Sequence, residues 1–163
     1  MSFFNRSEQH SIQDEMKDLN GENTAANVSH YLEDMGNVRG PLLGLGAGEG
    51  IAEIGIARRL RIRDVTLVDR DHEDLTDFEG RYVASDLFQF LGSTRRKYGV
   101  VTAFGLEYVL NKPSTWGLLW QGMSNITFPG SVVVISPFEE PFHVDESLFD
   151  VKSRRYIFVA QRR

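Results

Sequence analysis

At 163 residues, with 41% hydrophobic and 25% charged residues, the chain has the make-up of one ordinary soluble domain with a substantial core. A net charge of −5 argues against a dedicated non-specific nucleic-acid binder, and zero cysteines exclude disulfides, thiolate catalysis and Cys-type zinc sites. No apolar run approaches the roughly 18 residues needed to cross a bilayer, and the first residues carry no signal-like apolar region, which points to a cytoplasmic protein.

Residues 1–40 are expected to form a helical cap of two short helices. Ile12, Met16 and Leu19 recur at helical spacing, and Asn20-Gly21 reads as a stop. Thr24 is a candidate N-cap for a second helix with the stripe Ala25, Val28, Leu32 and Met35, closed by Gly36. Residues 41–163 then alternate strand and helix as the core of the same single domain. A strand is expected at 42–45, followed by a helix from about residue 50 to 60. Ile51, Ala52, Ile54, Ile56, Ala57 and Leu60 cover most of that helix's circumference, as in a helix buried against a sheet.

Further strands are expected at 65–68, 81–84 and 99–104. Their continuous rather than alternating apolar runs suggest a parallel sheet covered on both faces. Pro113 suits the first turn of a helix with the stripe Trp116, Leu119, Trp120, Met123 and Ile126. Phe128-Pro129-Gly130-Ser131 has the signature of a type II turn leading into a strand at 132–136. Two closing strands follow, at 149–152 and 155–160. The pattern is an α/β fold built on a compact, doubly wound, mostly parallel sheet of about seven strands. The basic clusters Arg58, Arg59, Arg61 and Arg63; Arg95, Arg96 and Lys97; and Arg154, Arg155, Arg162 and Arg163 read as solvated helix ends and strand rims.

Function concentrates in Gly44-Leu45-Gly46-Ala47-Gly48-Glu49-Gly50, between the first strand and the first core helix. Such a junction aims backbone N–H groups and the positive end of a helix dipole into one crevice. The dinucleotide fingerprint G-x-G-x-x-G fits neither frame, because Glu49 or Ile51 stands in the third-glycine place. What remains is G-x-G-x-G at Gly46, Gly48 and Gly50. Glu49 beside it disfavours a pyrophosphate and tolerates a cationic ligand. Asp69 ends the second strand, at the usual distance for an acid that accepts from ribose hydroxyls, and Asp86 ends the third, where a carboxylate or its neighbouring backbone can reach an adenine amino group.

The ordered series LLGLGAGEG at 42–50, VTLVDRD at 65–71, YVASDLFQFL at 82–91, YGVVTAFGLEYVL at 98–110 and FPGSVVVIS at 128–136 resembles the Rossmann-like class I S-adenosylmethionine-dependent methyltransferases. The resemblance spans most of the chain and implies that the closing strands form a C-terminal antiparallel hairpin. It implies S-adenosylmethionine as cofactor. Gly46, Ala47, Gly48, Glu49 and Gly50 would line its methionine and ribose part, Asp69 and Arg70 the ribose, and Asp86 and Leu87 the adenine. Phe104, Gly105, Leu106 and Glu107 would border the methyl-transfer site. One departure stands out: Gly44 occupies the place where the family usually has an acid that helps hold the cofactor's amino group, and Glu49 is the candidate substitute.

Methyl transfer from a sulfonium is an in-line displacement, helped by alignment and exclusion of water. A base is needed only if the acceptor must first lose a proton. His143, Tyr108 and Glu107 are the candidates, with His30 and Glu139 behind them and Tyr31 as a further cap residue that could meet substrate. Phe104-Gly105-Leu106-Glu107 replaces the Asp/Asn-Pro-Pro-aromatic motif at the fourth strand's end, which argues against methylation of base amino groups or protein glutamine. A small-molecule or peptide acceptor is therefore the expected partner, with neither nucleic acid, membrane nor metal. The alternatives are a non-catalytic relative that keeps the fold as a ligand-binding or scaffold module, and a nicotinamide-dependent oxidoreductase, which the glycine spacing disfavours.

Overall fold

The computed structural model describes residues 6–71, 78–104, 106, 113–136, 144–154 and 157–163, with side chains from Gly21 onward except those of Pro113 and Arg154. The elements are α1 (Arg6–Met35), β1 (Leu42–Leu45), α2 (Ile51–Leu60), β2 (Val65–Asp69), β3 (Arg81–Ala84), α3 (Leu87–Ser93), β4 (Tyr98–Phe104), α4 (Pro113–Asn125), β5 (Thr127–Ser136), β6 (Phe149–Arg154) and β7 (Phe158–Arg162). They form one seven-stranded sheet in the order β3-β2-β1-β4-β5-β7-β6. Strands β1 to β5 pair in parallel, and β7 is antiparallel to both β5 and β6. The doubly wound sheet and its closing antiparallel hairpin agree with the reading of the sequence.

Alternate residues of each central strand feed two cores. Leu43, Leu45, Val101, Ala103, Val133 and Ile135 pack with α3 and α4 through Phe90, Leu91, Trp116, Leu119, Trp120 and Met123. Leu42, Leu67, Val100, Val132 and Val134 pack with α1 and α2 through Val28, Leu32, Ile56 and Ala57. Both faces of the sheet are covered, which is why its strands read as unbroken apolar runs. Trp120 anchors the hairpin to α4, with its ring centroid 5.1 Å from Phe149 and 5.9 Å from Phe158.

Three expectations are corrected. The N-terminal region is one 30-residue helix rather than two short ones. Asn20-Gly21 does not stop it, because α1 lies directly on α2 there: a Cβ on Gly21 would sit 3.0 Å from Ile51 Cγ2. Close helix packing outweighs the roughly 1 kcal/mol that an internal glycine costs a helix. The second half of α1 thus buries Ala25, Val28 and Leu32 as a layer on the sheet face. Secondly, the Phe128–Ser131 turn lies inside β5 as a bulge, where register with β4 shifts between Tyr98 and Val100 and Gly130 takes φ 94°. Thirdly, α3 has no counterpart in the expected elements. It is only seven residues long, too short for a helical apolar period to show.

β1 lies in the middle of the five parallel strands, with β2 and β3 on one side and β4 and β5 on the other. Successive crossovers diverge from that strand, so a crevice opens at the carboxyl ends of β1 and β4. The glycine turn follows β1 at that edge.

Candidate functional site

Three glycines in alternate positions take the left-handed conformation, Gly46 at φ 64°, Gly48 at φ 55° and Gly50 at φ 72°. No L side chain adopts this region without strain, so the turn requires glycine at each. The main chain of the turn is fastened to its neighbour strand and to itself. Ala47 N–H donates to Val68 O at 3.2 Å, and Gly50 N–H donates to Ala47 O at 2.9 Å. Gly50 then caps α2, and its carbonyl accepts from Ile54 N–H at 2.8 Å.

Asp69 fixes the turn from across the crevice. Its Oδ2 accepts from Gly48 N–H at 2.7 Å and its Oδ1 from Asp71 N–H at 3.1 Å. A carboxylate has about four lone-pair positions, so two remain for a ligand. Tyr82, on β3, braces the same corner. Its hydroxyl donates to Asp71 O at 2.8 Å and lies 3.4 Å from Gly48 O. Beyond β3, Asp86 is the N-cap of α3: its Oδ1 accepts from Phe88 N–H at 3.0 Å and Gln89 N–H at 3.2 Å. Its Oδ2 stands 3.6 Å from Arg70 Nη2 at the exposed rim.

Gly46, Val68, Asp69, Arg70, Ser85, Asp86, Leu87 and Leu106 together line a cleft with about 370 Å³ of empty space open to solvent. Its floor and one wall are apolar, from Val68, Leu87 and Leu106, and its rim is polar. Leu106 is buried and leans onto the turn, so that a Cβ on Gly46 would fall 2.4 Å from its Cδ2. By contrast, nothing lies within 4 Å of where a Gly48 side chain would project, which leaves that part of the main chain open to a ligand.

Beneath the turn is a second acid. Glu53, in the first turn of α2, is only 2% exposed. Its side chain fills the space over Gly44, where a Cβ would meet Glu53 Cγ at 2.7 Å and Cδ at 3.4 Å. Burial pushes its carboxyl up to about 7, a hydrogen bond with its own main chain lowers it in part, and the nearby Asp69 charge adds to the rise. Glu49, the expected substitute for an acid at Gly44, is instead exposed on the outside of the turn.

Of the expected cofactor residues, Gly46, Asp69, Arg70, Asp86 and Leu87 line the cleft; Ala47, Gly48 and Gly50 belong to the same turn without lining it, and Glu49 is exposed. Phe104 ends β4, and its carbonyl oxygen lies 3.7 Å from the position a Gly46 Cβ would take. Gly105, Glu107, Tyr108, Glu139 and His143 lie outside the described residues. His30 is exposed on α1 with Nε2 3.7 Å from Asp34 Oδ2, and Tyr31 donates its hydroxyl to Lys152 O at 3.0 Å, so both belong to the outer helix rather than the crevice. Sequence reasoning missed Glu53 and Tyr82, whereas Leu106, expected at the border of the methyl-transfer site, does line the cleft. Glu53 had a visible signal, a lone acid in a helix whose other residues before Arg58 are apolar.

Neither protein-family models nor curated proteins match the chain by sequence. Solved structures do match by shape. A 1,6-didemethyltoxoflavin-N1-methyltransferase from Burkholderia thailandensis, with 1,6-didemethyltoxoflavin and S-adenosylhomocysteine bound, superposes with a TM-score of 0.68 at 16% identity, over 96% of this chain and 84% of that one. An amino pentose methyltransferase from Micromonospora echinaspora, with S-adenosylmethionine bound, gives 0.63 at 18% identity, over 95% and 66%. The chain has the class I methyltransferase fold. A magnesium protoporphyrin IX methyltransferase from Synechocystis, with S-adenosylhomocysteine, extends the likeness at 0.58 and 15% identity, over 87% and 83%. At these identities the likeness is one of architecture. Among the described residues no helix is long and apolar enough to cross a membrane.

Proposed function

We propose that the crevice at the carboxyl edge binds S-adenosylmethionine and that the protein transfers its methyl group to a small-molecule or peptide acceptor. The observation that carries this reading is the left-handed glycine turn tied by its Gly48 amide to Asp69. It presents open main chain on one side and a carboxylate with unused lone pairs on the other. Structural neighbours with bound S-adenosylmethionine or S-adenosylhomocysteine support it.

When bound, the cofactor supplies an electrophilic methyl group on a sulfonium. The chain's own residues would do the holding. Asp69 would accept from ribose hydroxyls, and Val68, Leu87 and Leu106 would shield the flat base. The first turn of α3 would meet the adenine edge through its main chain, since the Asp86 carboxylate already caps that helix. Alignment in a water-poor crevice is the main catalytic resource here. Where the acceptor carries a proton, His143, Tyr108 or Glu107 would take it.

A second reading, cofactor binding without turnover, draws on Gly44 and on the prior engagement of Asp69 and Asp86 within the fold. Titration calorimetry with S-adenosylmethionine and S-adenosylhomocysteine tests the shared first step. Binding without transfer across a panel of small-molecule and peptide acceptors favours the second reading, and no binding at millimolar ligand rejects both.

A further inference from the structure

A buried acid normally has a cation or several donors beside it. Glu53 has neither: among the described residues no ion pair and no hydrogen bond from another residue reaches its carboxylate, and the charge that acts on it, Asp69, has the same sign. The helix holding it is apolar on either side, with Ala52, Ile56 and Ala57 buried. Its side chain nevertheless turns inward to the centre of the sheet, filling the volume left by Gly44 directly under the glycine turn. Gly44 pairs with Leu67 and Thr102, and its backbone is of an ordinary extended kind that any residue could adopt. A side chain at Gly44 would displace Glu53 and press on Leu67 Cδ2 at 3.0 Å, so the glycine leaves room for both.

We propose that Glu53 supplies the anionic subsite for the cationic methionine end of the ligand, reaching from helix α2 into the space that Gly44 leaves free beneath the glycine turn. This rests on the reading of the crevice as a site for S-adenosylmethionine. A cationic ligand gives the buried carboxylate the counter-charge that the fold withholds. Glu53 is a binding and positioning residue in this role. Two centres of the ligand have the required chemistry, the α-ammonium and the sulfonium, and S-adenosylhomocysteine keeps only the first.

The test compares wild type, Glu53→Gln and the relocated pair Gly44→Glu/Glu53→Ala by calorimetry at pH 8. The ligands are S-adenosylmethionine, S-adenosylhomocysteine and adenosine, the last lacking the charged end. Glu53→Gln should weaken S-adenosylmethionine at least tenfold and leave adenosine within about twofold. The relocated pair should recover most of the loss, because the new carboxylate enters the volume Glu53 vacates. Loss for both charged ligands assigns the ammonium; loss for S-adenosylmethionine alone assigns the sulfonium. Unchanged affinity in Glu53→Gln, or an equal loss for adenosine, overturns the proposal while leaving the crevice assignment standing. Failure of wild type to bind any of the three overturns both.

Discussion

Asp69 Oδ2 accepts the Gly48 amide at 2.7 Å, which ties the acid closing β2 to the middle of the turn that follows β1. The link is short and charge-assisted, and such bonds contribute roughly 1.5–3 kcal/mol. It also orients the carboxylate, leaving its other lone pairs toward the crevice. Replacing Asp69 by Ala should therefore act twice, loosening the turn and removing an acceptor for the ligand. We expect S-adenosylhomocysteine binding to fall roughly 10- to 100-fold. Asp69→Asn keeps acceptor oxygens but not the charge and should fall between. Calorimetry on the three proteins checks the order, and an Asp69→Ala protein that binds normally would remove Asp69 from the site.

The glycines should not be equally tolerant. Ala at Gly48 meets open space and pays only for φ 55°, on the order of 1–2 kcal/mol. Ala at Gly46 meets the same penalty and also strikes Leu106 Cδ2 at 2.4 Å. Gly46→Ala should thus unfold at lower denaturant than Gly48→Ala. For ligand binding the order should reverse in part, because the added methyl at Gly48 protrudes where the main chain is open. A urea titration and a calorimetric titration of each variant decide the two claims separately.

Asp86 offers a clean separation of capping from ligand contact. Its Oδ1 holds the Phe88 and Gln89 amides, so Asp86→Ala should destabilise the protein by about 0.5–2 kcal/mol. Asp86→Asn retains a good cap and should be close to wild type in stability. If the adenine edge is met by main chain, as we propose, Asn should also bind S-adenosylhomocysteine nearly as well as wild type. A tenfold loss in Asn with unchanged stability would instead assign the carboxylate to the ligand.

Much of this was legible in the residue pattern, because strands buried on both faces leave unbroken apolar runs and the crevice follows from strand order. LLGL, VTLV and GVVTAF announced β1, β2 and β4 within a residue of their bounds. The Gly46–Gly50 spacing marked the turn, since each left-handed position needs glycine. What was hidden depends on side chains meeting across the sheet. Nothing local to Gly44 shows that the space above it is filled from α2, nine residues along, and Glu49 is the nearer acid in sequence but faces solvent. Nor does anything local to Gly21 show that α2 lies against it and lets the helix run through. Asp86 as a cap was in reach, because an Asp before Leu-Phe-Gln-Phe-Leu is an N-cap signal, but the helix it starts is too brief to show a period.

Glu53 makes the last prediction, and its sign follows from linkage. An ordinary carboxyl titrates near 4.5, and burial raises that of Glu53 in the folded protein to about 7. Below the ordinary value both states are protonated and the acid costs nothing. Between the two values the folded state binds the extra proton, so stability falls as pH rises, and above about 7 the full cost is present. A rise of this size corresponds to about 3 kcal/mol, as an order of magnitude. Glu53→Gln is free of this cost. Its thermal midpoint should match wild type near pH 4.5 and exceed it at pH 8 by roughly 6–12 °C. Saturating S-adenosylmethionine should narrow the gap at pH 8, because a cation beside the carboxylate stabilises its charged form in wild type alone. Adenosine, without the cation, should leave the gap as it is. Thermal scans at both pH values with and without each ligand check this, and a Gln variant that is less stable at pH 8 would show that the ionised acid is satisfied within the fold.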